Sequence, residues 1–340
     1  MFDFLHITNG DDAANIIKES AIQGDVLPWR DTMHYGPFPG ELDLDEVSLI
    51  RANYFGGDSK DSYLDVERDF KLRNEHLKAA SRYQEVILWY EHDLLDQLQI
   101  LQLLDWFGQN RDQTHQLSMI CIDQFAGIDP FRGIGQLSCK QMESLFDSRL
   151  PVTEEQISIS ERGWKAFRAP IPTELEHFIQ SDDHQAIPFL NNALLRHLQE
   201  YPYTSDGLNR TERQILTLIA NGHQTPNRIF AENMAMETTL FIGDWTTYRI
   251  MGDLCNCEQP LISCKSGDMF NFPSVTNTQN DKFNQQTMIL TPLGEQVIND
   301  NKNTIHIIDR DFWLGGVHIH TQKSMWMWDN INCKIVLKTV

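Results

Sequence analysis

The chain has 340 residues, with 28 Lys and Arg against 48 Asp and Glu, a formal net charge of −20 and a pI near 4.9. A 41% hydrophobic share with 18 Phe and 8 Trp supplies sizeable cores, the length suggests two domains, and a 22% charged share excludes a disordered acidic chain. The acidity disfavours general binding to nucleic acid or anionic membrane, and no stretch approaches the roughly 18 apolar residues of a membrane span.

The opening MFDFLHITNGDD has no basic n-region, so it does not read as a secretory signal. The cysteines Cys121, Cys139, Cys255, Cys257, Cys264 and Cys333 are scattered, which argues against a disulfide framework. A reducing, cytoplasmic setting is therefore expected.

Residues 3–8 predict a strand, followed by the turn Asn9-Gly10-Asp11 and an amphipathic helix from about Asp12 to Ala21. Val26-Leu27 begins a second strand. Residues 28–40, PWRDTMHYGPFPG, carry three Pro and two Gly, so they predict a long loop of the kind that holds function. Helices are expected at about 41–55 and 61–80. Val86 to Tyr90 is a continuous apolar run, as in a strand buried on both faces. At Glu91-His92-Asp93 the period changes, and Leu94, Leu98 and Leu101 step at helical spacing. Residues 116–122 predict another strand. The alternation points to a parallel sheet covered by helices, a Rossmann-like α/β domain over 1–137.

From 138 to 204 the pattern is a helical connector broken at Pro151, Pro170 and Pro172. Residues 205–340 then give three helices, a strand running into a helix, and a tail. That order is winged-helix-like, with the Asn/Gln-rich 266–286 as a wing. IHII, VHIH, SMWMW and KIVLK are the expected strands of a β tail.

Ligands of open parallel α/β sheets bind outside the carboxyl ends of the strands. The expected ligand-binding residues are thus His6, Asn9, Gly10, Asp11, Arg30, Asp96 and Gln97. His92 or His34 is the candidate acid/base, oriented by Asp93 or Asp31. The plainer alternative is that Asp11 and Asp93 are N-caps and the others are solvated. No Gly-x-Gly-x-x-Gly or Gly-x-x-x-x-Gly-Lys-Ser/Thr occurs, and Asp11 and Asp12 would repel a phosphate unless a metal or Arg30 sat between. No cofactor is assigned. No metal is assigned either: His92, Asp93 and Asp96 lack a defined ligand spacing, His318 and His320 lack a third ligand, and Cys255, Cys257 and Cys264 lack paired spacing.

Over residues 205–300 roughly 6 basic side chains meet 11 acidic ones, which disfavours DNA as partner. Arg210, Arg213 and Arg228 are the arginines from which a local basic patch could be assembled. The expected function is binding of a small molecule or nucleotide at the strand ends, with an enzyme as one form of it. The alternative is a regulatory or protein-interaction module acting through residues 205–340.

Several strings carry a resemblance. They are HITNGD (6–11), DTMHYGP (31–37), WYEHDLLDQL (89–98), RGIGQL (132–137) and WKAFR (164–168). Others follow in the second half: GLNRTERQIL (207–216), FIGDW (241–245), LTPLG (290–294), WLGGVH (313–318) and WMWD (326–329). On these the chain resembles a bacterial two-part family catalogued as domain of unknown function eighteen thirty-five, with an uncharacterised C-terminal domain. The chain has Asp12 where that pattern expects Ser. The resemblance implies a grouping and no activity.

Overall fold

The computed structural model describes residues 3–56, 60–181, 184–238, 241–273, 281–300, 302–321 and 324–339. It divides into two compact units, Met1–Leu195 with Trp313–His318, and Arg196–Phe312 with Ile319–Val340. The first unit therefore contains most of the helices that the sequence reads as a connector.

In the first unit the chain runs β1 (Phe4–Thr8), α1 (Gly10–Glu19), β2 (Asp25–Pro28), β3 (Gly36–Pro37), α2 (Leu44–Gly56) and α3 (Lys60–Lys78). It continues through β4 (Glu85–Glu91), α4 (Leu94–Gln109), β5 (Leu117–Ile122), α5 (Cys139–Phe146), β6 (Leu150–Pro151), α6 (Glu154–Phe167), α7 (Thr173–Gln180) and α8 (Leu190–Leu198). The main sheet has the order β2-β1-β4-β5-β6. Strands β2, β1, β4 and β5 are parallel, and β6 closes the edge antiparallel. Pro151 sits on that edge, where its missing N–H costs no ladder bond. The fold is mixed α/β with helices on a mostly parallel sheet, as the alternation of periods predicts.

Strand β4 is buried along its whole length, which explains the unbroken apolar run of Val86–Tyr90. Ile87 and Trp89 pack with Ala13 and Ile17 of α1 and Met142 of α5. Val86, Leu88 and Tyr90 alternate to the other face. Helix α4 follows that strand and packs against both the sheet and α6. Being covered all round, it buries Gln97, Gln99 and Gln102 along with its leucines.

The proline-rich loop is ordered by side chains. Arg51, fully buried, donates to the backbone carbonyls of Thr32, Tyr35 and Pro37 and to the Asp31 carboxylate. Arg73 adds a second contact to Asp31 at 3.4 Å. The guanidinium of Arg51 stacks 3.8 Å over Phe38, and that of Arg73 4.2 Å over Trp29. Phe55 lies 5.0 Å from Arg51 and Phe70 4.5 Å from Arg73, so two cations share one buried carboxylate and four aromatic rings.

The second unit carries α9 (Arg210–Ala220), α10 (Pro226–Ala235), α11 (Asp244–Asn256), β7 (Ile262–Cys264), α12 (Asp281–Asn284), β8 (Met288–Leu290) and α13 (Pro292–Asp300). The tail adds β9 (Asp311–Gly315), β10 (Val317–His320), β11 (Met325–Asp329) and β12 (Lys334–Lys338). Helix α9 starts at a capping box of Asn209 and Glu212. Strands β7 and β8 pair antiparallel, and α9, α11 and α13 bury Ile215, Met251 and Val297 around them. Part of the expected wing, 274–280, lies outside the described residues.

The tail strands VHIH, SMWMW and KIVLK form β10, β11 and β12, while IHII does not form a strand. Thr304 is fixed by two hydrogen bonds to the Asp206 carbonyl, and Ile307 and Ile308 both donate back to the Thr304 carbonyl. That folds 304–308 into a turn, because the local bonds satisfy the backbone without a partner strand.

Candidate functional site

The strand order reverses between β1 and β4, because β2 lies on one side of β1 and β4 on the other. At such a topological switch the helices that follow leave for opposite faces, and the ligand crevice of open α/β sheets lies at the carboxyl ends of the two strands. Thr8 and Asn9 end β1 there, and Tyr90 and Glu91 end β4.

Helix α4 draws these ends together. Asp93 is its N-cap, and the Asp93 carboxylate accepts from the Asp96 N–H at 2.9 Å. Asp96 is completely buried. Its Oδ1 accepts from Asn9 Nδ2 at 2.6 Å, and its Oδ2 accepts from the Glu91 N–H at 2.7 Å. Asn9 thus spends its amide across the crevice and makes no side-chain cap on α1. Gln97 donates to the Glu91 carbonyl at 2.6 Å, and Gln99 donates to the Trp29 carbonyl at 3.0 Å. One helical turn of polar side chains therefore links the ends of β1, β2 and β4.

Three carboxyl groups fall within six residues, and their surroundings push all three above the usual carboxylate range. Burial pushes Glu91 up to about 8, helped by the neighbouring Asp93. Its Oε1 accepts from the Ile134 N–H at 2.5 Å. Burial raises Asp93 to about 6, against its backbone hydrogen bonds. Its carboxyl is enclosed by protein although the residue keeps some surface. Asp96 lies well above the usual carboxylate range, through burial first and then through Asp93 and Glu91. Buried like charges at this spacing cannot all ionise. A protonated carboxyl can donate a hydrogen bond and hand over a proton, which an ionised one cannot. The neighbouring Cys121 thiol is pushed up to about 12 by burial and by Asp96, so it is no nucleophile at neutral pH.

The remaining expected residues have these places. Asp11 and Arg30 form an exposed ion pair at 2.6 Å between the start of α1 and the loop after β2. The Arg30 guanidinium holds the Asp11 carboxyl below its ordinary range. Gly10 opens α1 with φ +68°, and a Cβ there would meet nothing within 4 Å, so the glycine answers a backbone need. Asp31 belongs to the Arg51–Arg73 cluster. His34 is buried in the same loop. His92 turns away from Asp96. Its ring stacks on Phe131 at 6.3 Å and meets Phe189 edge-on at 6.1 Å, and burial lowers its pKa. His6 lies further down β1, against Trp89 and Phe146. Trp89 Nε1 donates to its Nδ1 at 3.1 Å, its Nε2 meets the Gln23 carbonyl at 3.1 Å, and burial depresses its pKa.

Sequence reasoning passed over Glu91, Gln99 and Gly133. Gly133 has φ +145°, and a Cβ on it would stand 2.3 Å from Glu91 Oε2. The readable signal was a glutamate closing a fully apolar strand. Nothing local in RGIG shows that it meets Glu91, 42 positions away.

Among the described residues no group of three or more His, Cys, Asp and Glu is arranged to hold a metal ion. All six cysteines are free thiols. Among the described residues no helix is long and apolar enough to cross a membrane. Comparison with protein-family models finds no match for the chain, and comparison with curated proteins finds none.

Proposed function

We propose that the first unit binds a small, uncharged or cationic, hydroxyl- or amide-bearing molecule in the crevice between β1 and β4. The observation that carries this reading is a cluster of uncommitted buried groups. Thr8 Oγ1, the Tyr90 hydroxyl, Gln97 Oε1 and Gln99 Oε1 are all buried without a hydrogen-bond partner among the described protein groups. A folded chain rarely leaves buried polar atoms unmatched, and these four stand at the ends of β1 and β4 and on the first turns of α4, with Thr8 on the Trp89 face of the sheet and Tyr90 on the other. Electrostatics narrows the ligand. Helix α1 begins with Asp11 and Asp12, which answer its N-terminal dipole, and Asp11 holds Arg30 in an ion pair. Arg30 is thus already committed to a carboxylate that a phosphate would have to displace, whereas a hydroxyl, amide or amine needs no cation. In an enzymatic form of this function, the protonated Glu91–Asp96 pair supplies the proton in place of His92 or His34.

The second unit fits a winged-helix-like contact module. The arginines from which a basic patch could be assembled are engaged: Arg210 pairs with Glu237, Arg213 with Asp206 and Arg228 with Glu232. Trp245 at the start of α11 is 50% exposed and lies 6.0 Å from the ring of Phe272. This supports contact with protein over DNA.

Thermal shift and titration calorimetry against uncharged nucleosides and sugars, amines and their phosphorylated counterparts test the crevice. Thr8→Val and Tyr90→Phe remove hydroxyls that serve no protein partner, so they should spare the fold and abolish binding. Absence of any binder, preference for phosphorylated compounds, or binding indifferent to both variants overturns the proposal.

A further inference from the structure

A second cleft in the first unit, of about 300 Å3, opens beside the C-terminal turns of α4, well along the helix from the crevice. It is bounded by the segment entering α2 and by the end of α6, and Trp106 and Trp164 both line it. Its charges are of both signs. Asp105 lines it with its carboxyl mostly enclosed, pushed up to about 6 by burial, with Gln109 donating to its Oδ2 at 3.0 Å. Arg168 lies within electrostatic reach of Asp105. It spends Nε and Nη2 on the carbonyls of Pro39 and Leu42, at 2.7–3.1 Å. The acid and the base thus each bind other groups. Between them lies Gln102, only 5% exposed. Its Oε1 is committed to Trp29 Nε1 at 2.9 Å, which leaves its amide N–H groups as the donors it can offer a ligand. Lys78 and Asp45 are already paired at the rim.

We propose that this cleft binds a small zwitterion of the α-amino-acid class, with its ammonium at Asp105, its carboxylate at Arg168 and Gln102, and its side group against the indoles of Trp106 and Trp164. A lone cation would gain from Asp105 but face Arg168, and a lone anion would face the reverse. A molecule carrying both charges a few ångströms apart satisfies both. A concave cleft of this volume, with indole walls beside convergent polar and charged groups, is a form small-ligand sites take. Its residues are separate from the Asn9–Asp96 crevice, so the two proposals stand or fall independently.

Titration calorimetry on the full chain tests it with L-phenylalanine, L-tryptophan and L-leucine. Phenethylamine and 3-phenylpropanoate serve as single-charge controls. At least one amino acid should bind in the micromolar to low-millimolar range, with both controls at least tenfold weaker. Asp105→Asn keeps the Gln109 contact and should weaken binding at least tenfold with an unchanged melting temperature. Wild-type affinity should rise as pH increases from 5 to 7, since the ammonium needs an ionised carboxylate. The Trp106 indole N–H resonance should move on titration of the wild-type protein, which keeps the test valid if the variant folds poorly. No binding at 10 mM, a control equal to the amino acid, or an unmoved Trp106 signal overturns the proposal.

Discussion

Glu91→Gln isolates the cost of holding a carboxyl group in the crevice. The native side chain is 8% exposed and its pKa rises from about 4.5 to about 8 on folding. A carboxyl whose folded pKa is raised contributes its full stability below the unfolded pKa, and loses it as pH rises through the folded value. The affected window is therefore about pH 4.5 to 8. At ~1.36 kcal/mol per tenfold change, the native protein loses about 1 kcal/mol by pH 5.5 and roughly 4 kcal/mol by pH 8 from this group. Glutamine keeps an oxygen to accept from the Ile134 N–H and never ionises. The variant's advantage over the native protein should then grow by about 3 kcal/mol between pH 5.5 and pH 8. Any constant offset from the amide cancels in this difference. Urea unfolding followed by tryptophan fluorescence at the two pH values measures it. A stability gap that stays flat across the window, or that moves against the variant as pH rises, refutes a protonated Glu91.

Gly133→Ala places a Cβ against the Glu91 carboxyl at a backbone angle that L-residues avoid, and should cost about 2–4 kcal/mol in urea unfolding. Arg51→Met leaves the buried Asp31 with a single long contact to Arg73 and frees three loop carbonyls. About 3–5 kcal/mol of stability should be lost, with new protease cleavage within residues 28–40 as the second readout. Tyr90→Phe removes a buried hydroxyl without a protein partner, so the unliganded protein should be as stable as before or slightly more so by thermal melting. Fluorescence anisotropy with random duplexes should show no sub-micromolar, salt-sensitive DNA binding, because the arginines of α9 and α10 already hold carboxylates.

The sequence by itself determined the elements whose signal is local. The run Val86–Tyr90 followed by helical spacing defined β4 and α4, because a strand buried on both faces needs continuous apolar residues and the helix after it does not. The alternation in SMWMW and KIVLK marked β11 and β12. IHII shows the limit of such signals: its alternation suits a strand, but Thr304 is anchored to the carbonyl of Asp206, 98 residues away, and the chain after it turns back on Thr304. Only the tertiary structure decided the chemistry of the crevice. The bond from Asn9 to Asp96 spans 87 residues and that from Ile134 to Glu91 spans 43, so neither leaves a spacing motif. The same sequence distance hid the role of Asp31, which depends on Arg51 and Arg73 arriving from two helices. A carboxyl's protonation depends on what encloses it, and enclosure is assembled by packing: the sequence marks Asp93 and Asp96 as site candidates after Glu91, but their burial exists only once the sheet and α4 enclose them together.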